Sequence, residues 1–229
     1  MWEPMGVRLQ ELSYAAKDPE GLARFWAGVL GFEPIEDTVL ATADDRAFRL
    51  RFVASDLPKL SPNQMHFDVT STSLDDQQAK VDRALELGGN HLDIGQLPDE
   101  KHVVLADPEG NEFCVIEPTN NFLANTGVIG ALSSDGSQAV GYFWAKALDW
   151  PLVWDEDEET AIQAPYGGTK IAWGGPPVNT KLGVNRLQFV LRADGDRQVE
   201  VDRLVALGAT AAGDTLTDPD GNEFVVLGN

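Results

Sequence analysis

The residues with chemistry to offer are few and widely spaced. The chain has three histidines, His66, His91 and His102, and one cysteine, Cys114. In Met65-His66-Phe67-Asp68-Val69 the imidazole and the carboxylate stand two residues apart. An extended backbone puts both on one face, where Asp68 can orient His66 or stand as a plain surface charge. Arg49 and Arg51 share a strand face by the same period of two. Facing a cup they would favour an anionic or carbonyl-bearing ligand; facing water they would be solvated charge. His91 and His102 have no spaced partners and read as surface residues. Trp150, Trp154, Tyr166 and Trp173 fall on expected strands and loops of the second half, where some could line an apolar pocket. The acidic run Asp155-Glu156-Asp157-Glu158-Glu159 reads as a solvated hairpin tip. There is no Gly-rich phosphate loop, no Ser-His-Asp arrangement and no Cys/His zinc spacing.

Composition narrows the partners. A net charge of −20 and a pI near 4.3 argue against nucleic acid and anionic membrane, since both need a cationic face. The lone cysteine excludes an internal disulfide. No apolar run reaches the ~18 residues of a membrane span, and Met-Trp-Glu-Pro does not resemble a signal peptide, so a cytoplasmic location is expected.

These residues are carried by a chain that repeats itself. Asp107-Pro108-Glu109-Gly110-Asn111-Glu112-Phe113-Cys114-Val115-Ile116 returns 111 residues later as Asp218-Pro219-Asp220-Gly221-Asn222-Glu223-Phe224-Val225-Val226-Leu227. Each copy reads as a tight turn running into a buried strand. Phe25-Trp26 likewise matches Phe143-Trp144. Each quarter predicts a strand, a helix and three strands. In the first quarter these are Val7–Ala16, a helix opened by Asp18-Pro19-Glu20 and ended by Gly31, then Phe32–Glu36, Val39–Ala43 and Ala47–Ala54 with a turn at Asp44-Asp45. The second quarter gives Gln64–Thr70, a helix over Leu74–Leu87, and strands near His91–Ile94, His102–Ala106 and Glu112–Glu117. The third helix is expected over Asp135–Leu148. The boundary falls in the polar link Pro118–Asn125, giving domains 1–118 and 126–229. The second half is about nine residues shorter, which makes the hairpin around Asp93–Lys101 an extra and a candidate lip over a pocket.

The motifs Asp18-Pro19-Glu20…Phe25-Trp26…Leu30-Gly31-Phe32, Met65-His66-Phe67-Asp68-Val69 and Asp107 to Val115 resemble the vicinal oxygen chelate superfamily, which includes glyoxalase I, bleomycin-resistance proteins and extradiol dioxygenases. The resemblance implies an α+β fold of two tandem glyoxalase-like domains, four βαβββ modules whose curved mixed sheets form cups. It also implies where metal ligands stand in metal-dependent members. Those positions fall on Glu11, His66 and Cys114 in half one, with Arg49 or Arg51 where a carboxylate is expected, and on Val128, Gln188 and Val225 in half two. Val has no donor and Gln a weak neutral one. No cofactor is therefore expected; a divalent zinc, nickel, manganese or iron in domain 1, on Glu11, His66 and Cys114, is the alternative.

The expected function is binding of a small, partly apolar molecule in a β-cup without metal catalysis, of the resistance or sequestration type. The ligand-binding candidates are Glu11, Arg49, Arg51, His66, Asp68, Cys114, Trp154, Trp173 and Gln188. The alternatives are a metal-dependent lyase, isomerase or dioxygenase acting in domain 1, and a non-catalytic scaffold. Because duplication supplies the domain pairing within one chain, a monomer is expected.

Overall fold

The computed structural model describes residues 6–41, 48–97 and 99–229. Residues 42–47, and with them the expected Asp44-Asp45 turn, lie outside the described residues. The four modules are present. The first holds β1 (Val7–Ala16), α1 (Pro19–Leu30), β2 (Glu33–Glu36), β3 (Val39–Ala41) and β4 (Arg49–Ala54). The second holds β5 (Met65–Val69), α2 (Leu74–Glu86), β6 (Asn90–His91), β7 (Val103–Ala106) and β8 (Glu112–Val115). The third holds β9 (Ile129–Ser134), α3 (Gln138–Leu148), β10 (Leu152–Glu156), β11 (Glu159–Gln163) and β12 (Lys170–Trp173). The fourth holds β13 (Leu187–Ala193), α4 (Arg197–Leu207), β14 (Thr210–Ala212), β15 (Thr215–Thr217) and β16 (Glu223–Leu227).

Caps set the helix starts. The Asp18 side chain accepts from the Gly21 backbone N–H, and Pro19 occupies the first turn. Gly31, at φ 68°, closes α1 in the left-handed conformation that costs glycine least. The third helix begins at Gln138 rather than near Asp135, because Ser137 is its cap and accepts from the Val140 N–H. The strand expected over His91–Ile94 stops at His91. There the Asp93 carboxylate accepts from the Gly95 N–H and turns the chain out of the sheet.

The modules form two eight-stranded mixed sheets, and the sheets cross the halves. The first runs β14-β15-β16-β13-β1-β4-β3-β2 and so joins modules one and four. The second runs β10-β11-β12-β9-β5-β8-β7-β6 and joins modules two and three. In both, the leading strands of the two modules pair antiparallel, β1 with β13 and β5 with β9. One apolar core runs through both halves, and within it each half packs its own pair of helices. Helix α1 approaches α2 so closely that a Cβ at Gly28 would lie 2.5 Å from the Leu87 Cδ1. The Trp26 ring meets Phe67 and Phe113 of module two at 4.9 Å, edge to face. In the other half Trp144 meets Phe189 at 4.8 Å and Phe224 at 5.0 Å. Such pairs contribute about 0.5–1.5 kcal/mol each beyond their burial.

The repeated turn is the fastening for this arrangement. Asp107 accepts from the Trp26 indole N–H, the Tyr14 hydroxyl and the Asn111 backbone and side chain; Asp218 accepts from the Trp144 indole N–H and from Asn222. Glu109 accepts from the backbone N–H groups of Lys17 and Asp18, and Asp220 from that of Ser137. Glu112 pairs with Lys59, and Glu223 with Lys181, tying each inter-module connection to its turn. The motif that makes the duplication visible is therefore structural throughout.

Candidate functional site

Strand register makes one sheet closed and the other open. On β1, Glu11 lies beside Arg49 and Ser13 beside Arg51 of β4, with Ser13 opposite Gln188 of β13. On β9, Ala131 lies beside Lys170 and Ser133 beside Ala172 of β12, with Ser133 opposite His66 of β5. Ala131 thus stands where Glu11 does, and Ala172 where Arg51 does. In the first sheet Glu11, only 5 % exposed, accepts from Arg51 Nε at 2.5 Å, and Arg51 also reaches Glu36 at 3.4 Å. Two long charged side chains fill that face. In the second sheet two methyl groups replace them, and a cavity of about 820 Å³ opens. That volume is ample for a drug-sized ligand.

The cavity has an aromatic wall and a polar floor. Trp154 and Phe122 form the wall, Trp154 standing edge-on to Phe122 at 6.2 Å, while Trp173 borders the cavity from β12 with its ring in the core beneath. Trp173 is held by packing and is 2 % exposed. Lys170 backs Phe122: its Nζ sits 4.2 Å from the ring centroid, and it donates to the Phe122 carbonyl at 2.5 Å. On the floor, His66 Nε2 is 3.5 Å from an Asp68 carboxylate oxygen, and the Ser133 hydroxyl donates to Asp68 at 2.5 Å. Burial pushes the Cys114 thiol up, and the neighbouring Asp68 carboxylate pushes it further. It is therefore a neutral thiol and a poor nucleophile at pH 7. One donor atom each from His66, Asp68 and Cys114 lie within 4.8 Å of one another. Nitrogen, oxygen and sulfur donors in that mixture suit a zinc-like ion in chemical type.

The structure gathers His66, Asp68, Cys114, Trp154 and Trp173 in and beneath this cup. It does not bring Glu11 to them. Glu11, Arg49, Arg51 and Gln188 belong to the first sheet, so the expected Glu11–His66–Cys114 group does not form. Because β5 pairs with β9 and not with β1, Ala131 stands at the place expected of Glu11, and the third donor is Asp68, set beside Cys114 by the β5–β8 pairing. Arg49 is exposed; Gln188 lines a separate pocket of about 220 Å³ beside Arg186. The second-half position assigned to Val128 belongs to Ala131, three residues on. His91 is exposed and His102 half-buried; Tyr166, a candidate for the pocket lining, is exposed and does not line this cavity. Of the expected lip, Ile94 does line the cavity. Sequence reasoning missed Phe122, which lies in a link read as polar, and the Ala131/Ala172 pair, whose signal is visible only once the register is known.

Among the described residues, no helix is long and apolar enough to cross a membrane. The crystal structure of glyoxalase I from Zea mays superposes on 96% of this chain and 92% of its own, with a TM-score of 0.62 at 15% identity. A protein from Bacillus subtilis subsp. subtilis strain 168, provisionally assigned as a dioxygenase, covers 100% of this chain and 86% of its own, with a TM-score of 0.63 at 13% identity. At such identities the likeness is one of fold. No curated protein matches. The family model described as a glyoxalase-like domain matches twice, at residues 11–116 and 131–227. With both halves matched and the two mixed sheets in place, the chain belongs to the glyoxalase-like domain family of the vicinal oxygen chelate superfamily.

Proposed function

We propose that this protein binds one small, partly apolar molecule in the cup of the second sheet, and acts by holding it. The observation that carries this is the cavity of about 820 Å³, lined by the aromatic Trp154 and Phe122 together with the polar His66, Gln64 and Ser133. Aromatic walls with a few polar groups are how small-molecule sites combine affinity with orientation. The first sheet is not the binding cup, because the Glu11–Arg51 pair occupies the corresponding space. Each sheet is completed within one chain, which supports a monomer as the working unit. The test is a thermal-shift screen of small aromatic compounds followed by calorimetry on the hits. Hits that lose most of their affinity in Trp154→Ala support the proposal. A broad library without a single stabilising compound overturns it.

Metal-dependent chemistry in the same cup is a second reading, favoured by the His66, Asp68 and Cys114 cluster. These residues would hold the ion, which when bound would polarise the oxygens of a ligand. Ser133 would orient the Asp68 carboxylate through its hydrogen bond. Metal analysis after offering zinc, nickel, manganese and iron separates the two. A stoichiometric ion that is lost in His66→Ala favours catalysis; no retained ion favours simple binding.

A further inference from the structure

We infer that the molecule held in the second-sheet cup is an aromatic cation, a flat ring system bearing a protonated nitrogen. This rests on the binding role proposed above and adds the sign of the ligand's charge. Three carboxylates serve the cavity without an arginine or lysine partner among the described residues. Asp135 lines it and accepts only from the Asn179 backbone N–H, at 2.9 Å. Glu159 lines it from an exposed position on β11. Asp68 lies beneath the floor, behind His66 and Ser133, and accepts from the Ser133 hydroxyl. A fourth, Glu112, is matched by Lys59 at 2.5 Å.

No arginine or lysine lines the cavity among the described residues. The nearby ammonium groups are already engaged, Lys59 by Glu112 and Lys170 by the Phe122 carbonyl and ring. The β10–β11 hairpin that carries Trp154 and Glu159 is acidic as well, with Glu156, Asp157 and Glu158 outside the cavity and the Asp155 carboxylate held by Tyr142 and Gln138. An anionic ligand would meet carboxylates with no cation to receive it. A cationic one would meet complementary charge at the floor and rim, and a ring face on the half-exposed Trp154 that attracts positive charge. Lys170 over Phe122 already displays that geometry at the wall of the site. The corresponding face of the first sheet is charge-matched instead, with Arg51 paired to Glu11 and Glu36.

The sign preference can be read with one ring system in three charge states. Acridine is neutral at pH 7, 9-aminoacridine is a cation and acridine-9-carboxylate an anion. Fluorescence titration of the full chain is expected to give 9-aminoacridine an affinity at least about tenfold above acridine, with the carboxylate weakest. The chain's charge of −20 draws any cation to its surface, so the series is repeated in 0.5 M salt, which screens that field on the order of a few Å. The preference should survive the salt, and Asp135→Asn and Glu159→Gln should each narrow it. Equal or tighter binding of acridine or its carboxylate overturns the charge assignment and leaves the binding role standing. So does a preference that salt abolishes and neither variant alters. If none of the three binds to a folded protein, and the wider screen is also blank, the binding role falls and the charge assignment with it.

Discussion

Tyr14 and Ser134 hold equivalent positions on β1 and β9, beside Phe52 and Trp173 respectively, yet only Tyr14 reaches its half's turn aspartate. Its hydroxyl donates to Asp107 at 3.0 Å inside the core, whereas the buried Ser134 hydroxyl has no protein partner. Tyr14→Phe would keep the ring contacts with Phe52 at 5.5 Å and Phe67 at 6.0 Å and delete only the hydrogen bond. A hydrogen bond to a charged group contributes about 1.5–3 kcal/mol. Asp107 retains the Trp26 indole at 3.3 Å and the Asn111 amide at 2.9 Å, so the lower end, about 1.5–2 kcal/mol, is expected. Ser134→Ala should change stability by less than about 0.5 kcal/mol, since no protein bond is lost. Urea denaturation with unchanged slope reads both values.

The pH dependence supplies a second check on the same pair. Burial pushes the Asp107 carboxyl up, against the pull of its hydrogen bonds to Asn111, Glu109 and Tyr14. Its ionised form is thus the disfavoured one in the folded state, and its contribution to stability rises as pH falls through the folded pKa toward the unfolded value. Removing the Tyr14 donor raises that pKa further. The gap between wild type and Tyr14→Phe should therefore shrink on acidification. A Tyr14→Phe loss no larger than that of Ser134→Ala, or a gap that is flat with pH, would refute the reasoning.

Other outcomes are also expected. Glu109→Gln should cost about 3 kcal/mol, because it leaves the nearly buried Arg186 guanidinium without its anion, 2.9 Å away. Burial pushes the Glu109 carboxyl up, but the backbone N–H groups of Asp18 and Lys17 and the Arg186 guanidinium outweigh it and hold it low. That stabilisation is present above the ordinary glutamate range and lost as pH falls through the lowered value, so the variant should show a flatter acid limb in a denaturation series. Native Cys114 should react with a neutral thiol reagent at pH 8 at least about tenfold more slowly than in urea, because burial keeps it protonated. Ala172→Arg places in the second cup the side chain that fills the first, and should abolish ligand binding in calorimetry while the circular dichroism spectrum is kept.

Much of the architecture was legible because the turn Asp107 to Glu112 and its copy each spend every polar residue on a fixed contact, so the repeat survives as near-identical sequence. Asp18-Pro19 and Gly31 marked α1 for the same reason, a cap and a left-handed stop that few residues can supply. Strand partnering was not legible. The leading strands β1, β5, β9 and β13 offer similar apolar alternation, and nothing local tells β1 to prefer β13 over β5. That choice separates Glu11 from His66 and sets Ala131 at the corresponding level, while Asp68 meets Cys114 through the β5–β8 pairing within module two. The openness of the cup was hidden too. It depends on Ala131 and Ala172 lying on neighbouring strands at one level, and Gly127-Val128-Ile129-Gly130-Ala131 carries no side chain that would anchor the register from sequence.

The central claim is that ligand occupies the second-sheet cup, and 5-fluorotryptophan labelling tests it most directly. The chain has six tryptophans in differing settings, among them Trp154 at the cavity wall and Trp26, fully buried in the core on the side of the second sheet away from the cup. Titrating a ligand found by screening while recording fluorine NMR should shift the Trp154 resonance, assigned by Trp154→Phe, and leave that of Trp26 in place. A saturating ligand that leaves Trp154 unmoved would contradict the account.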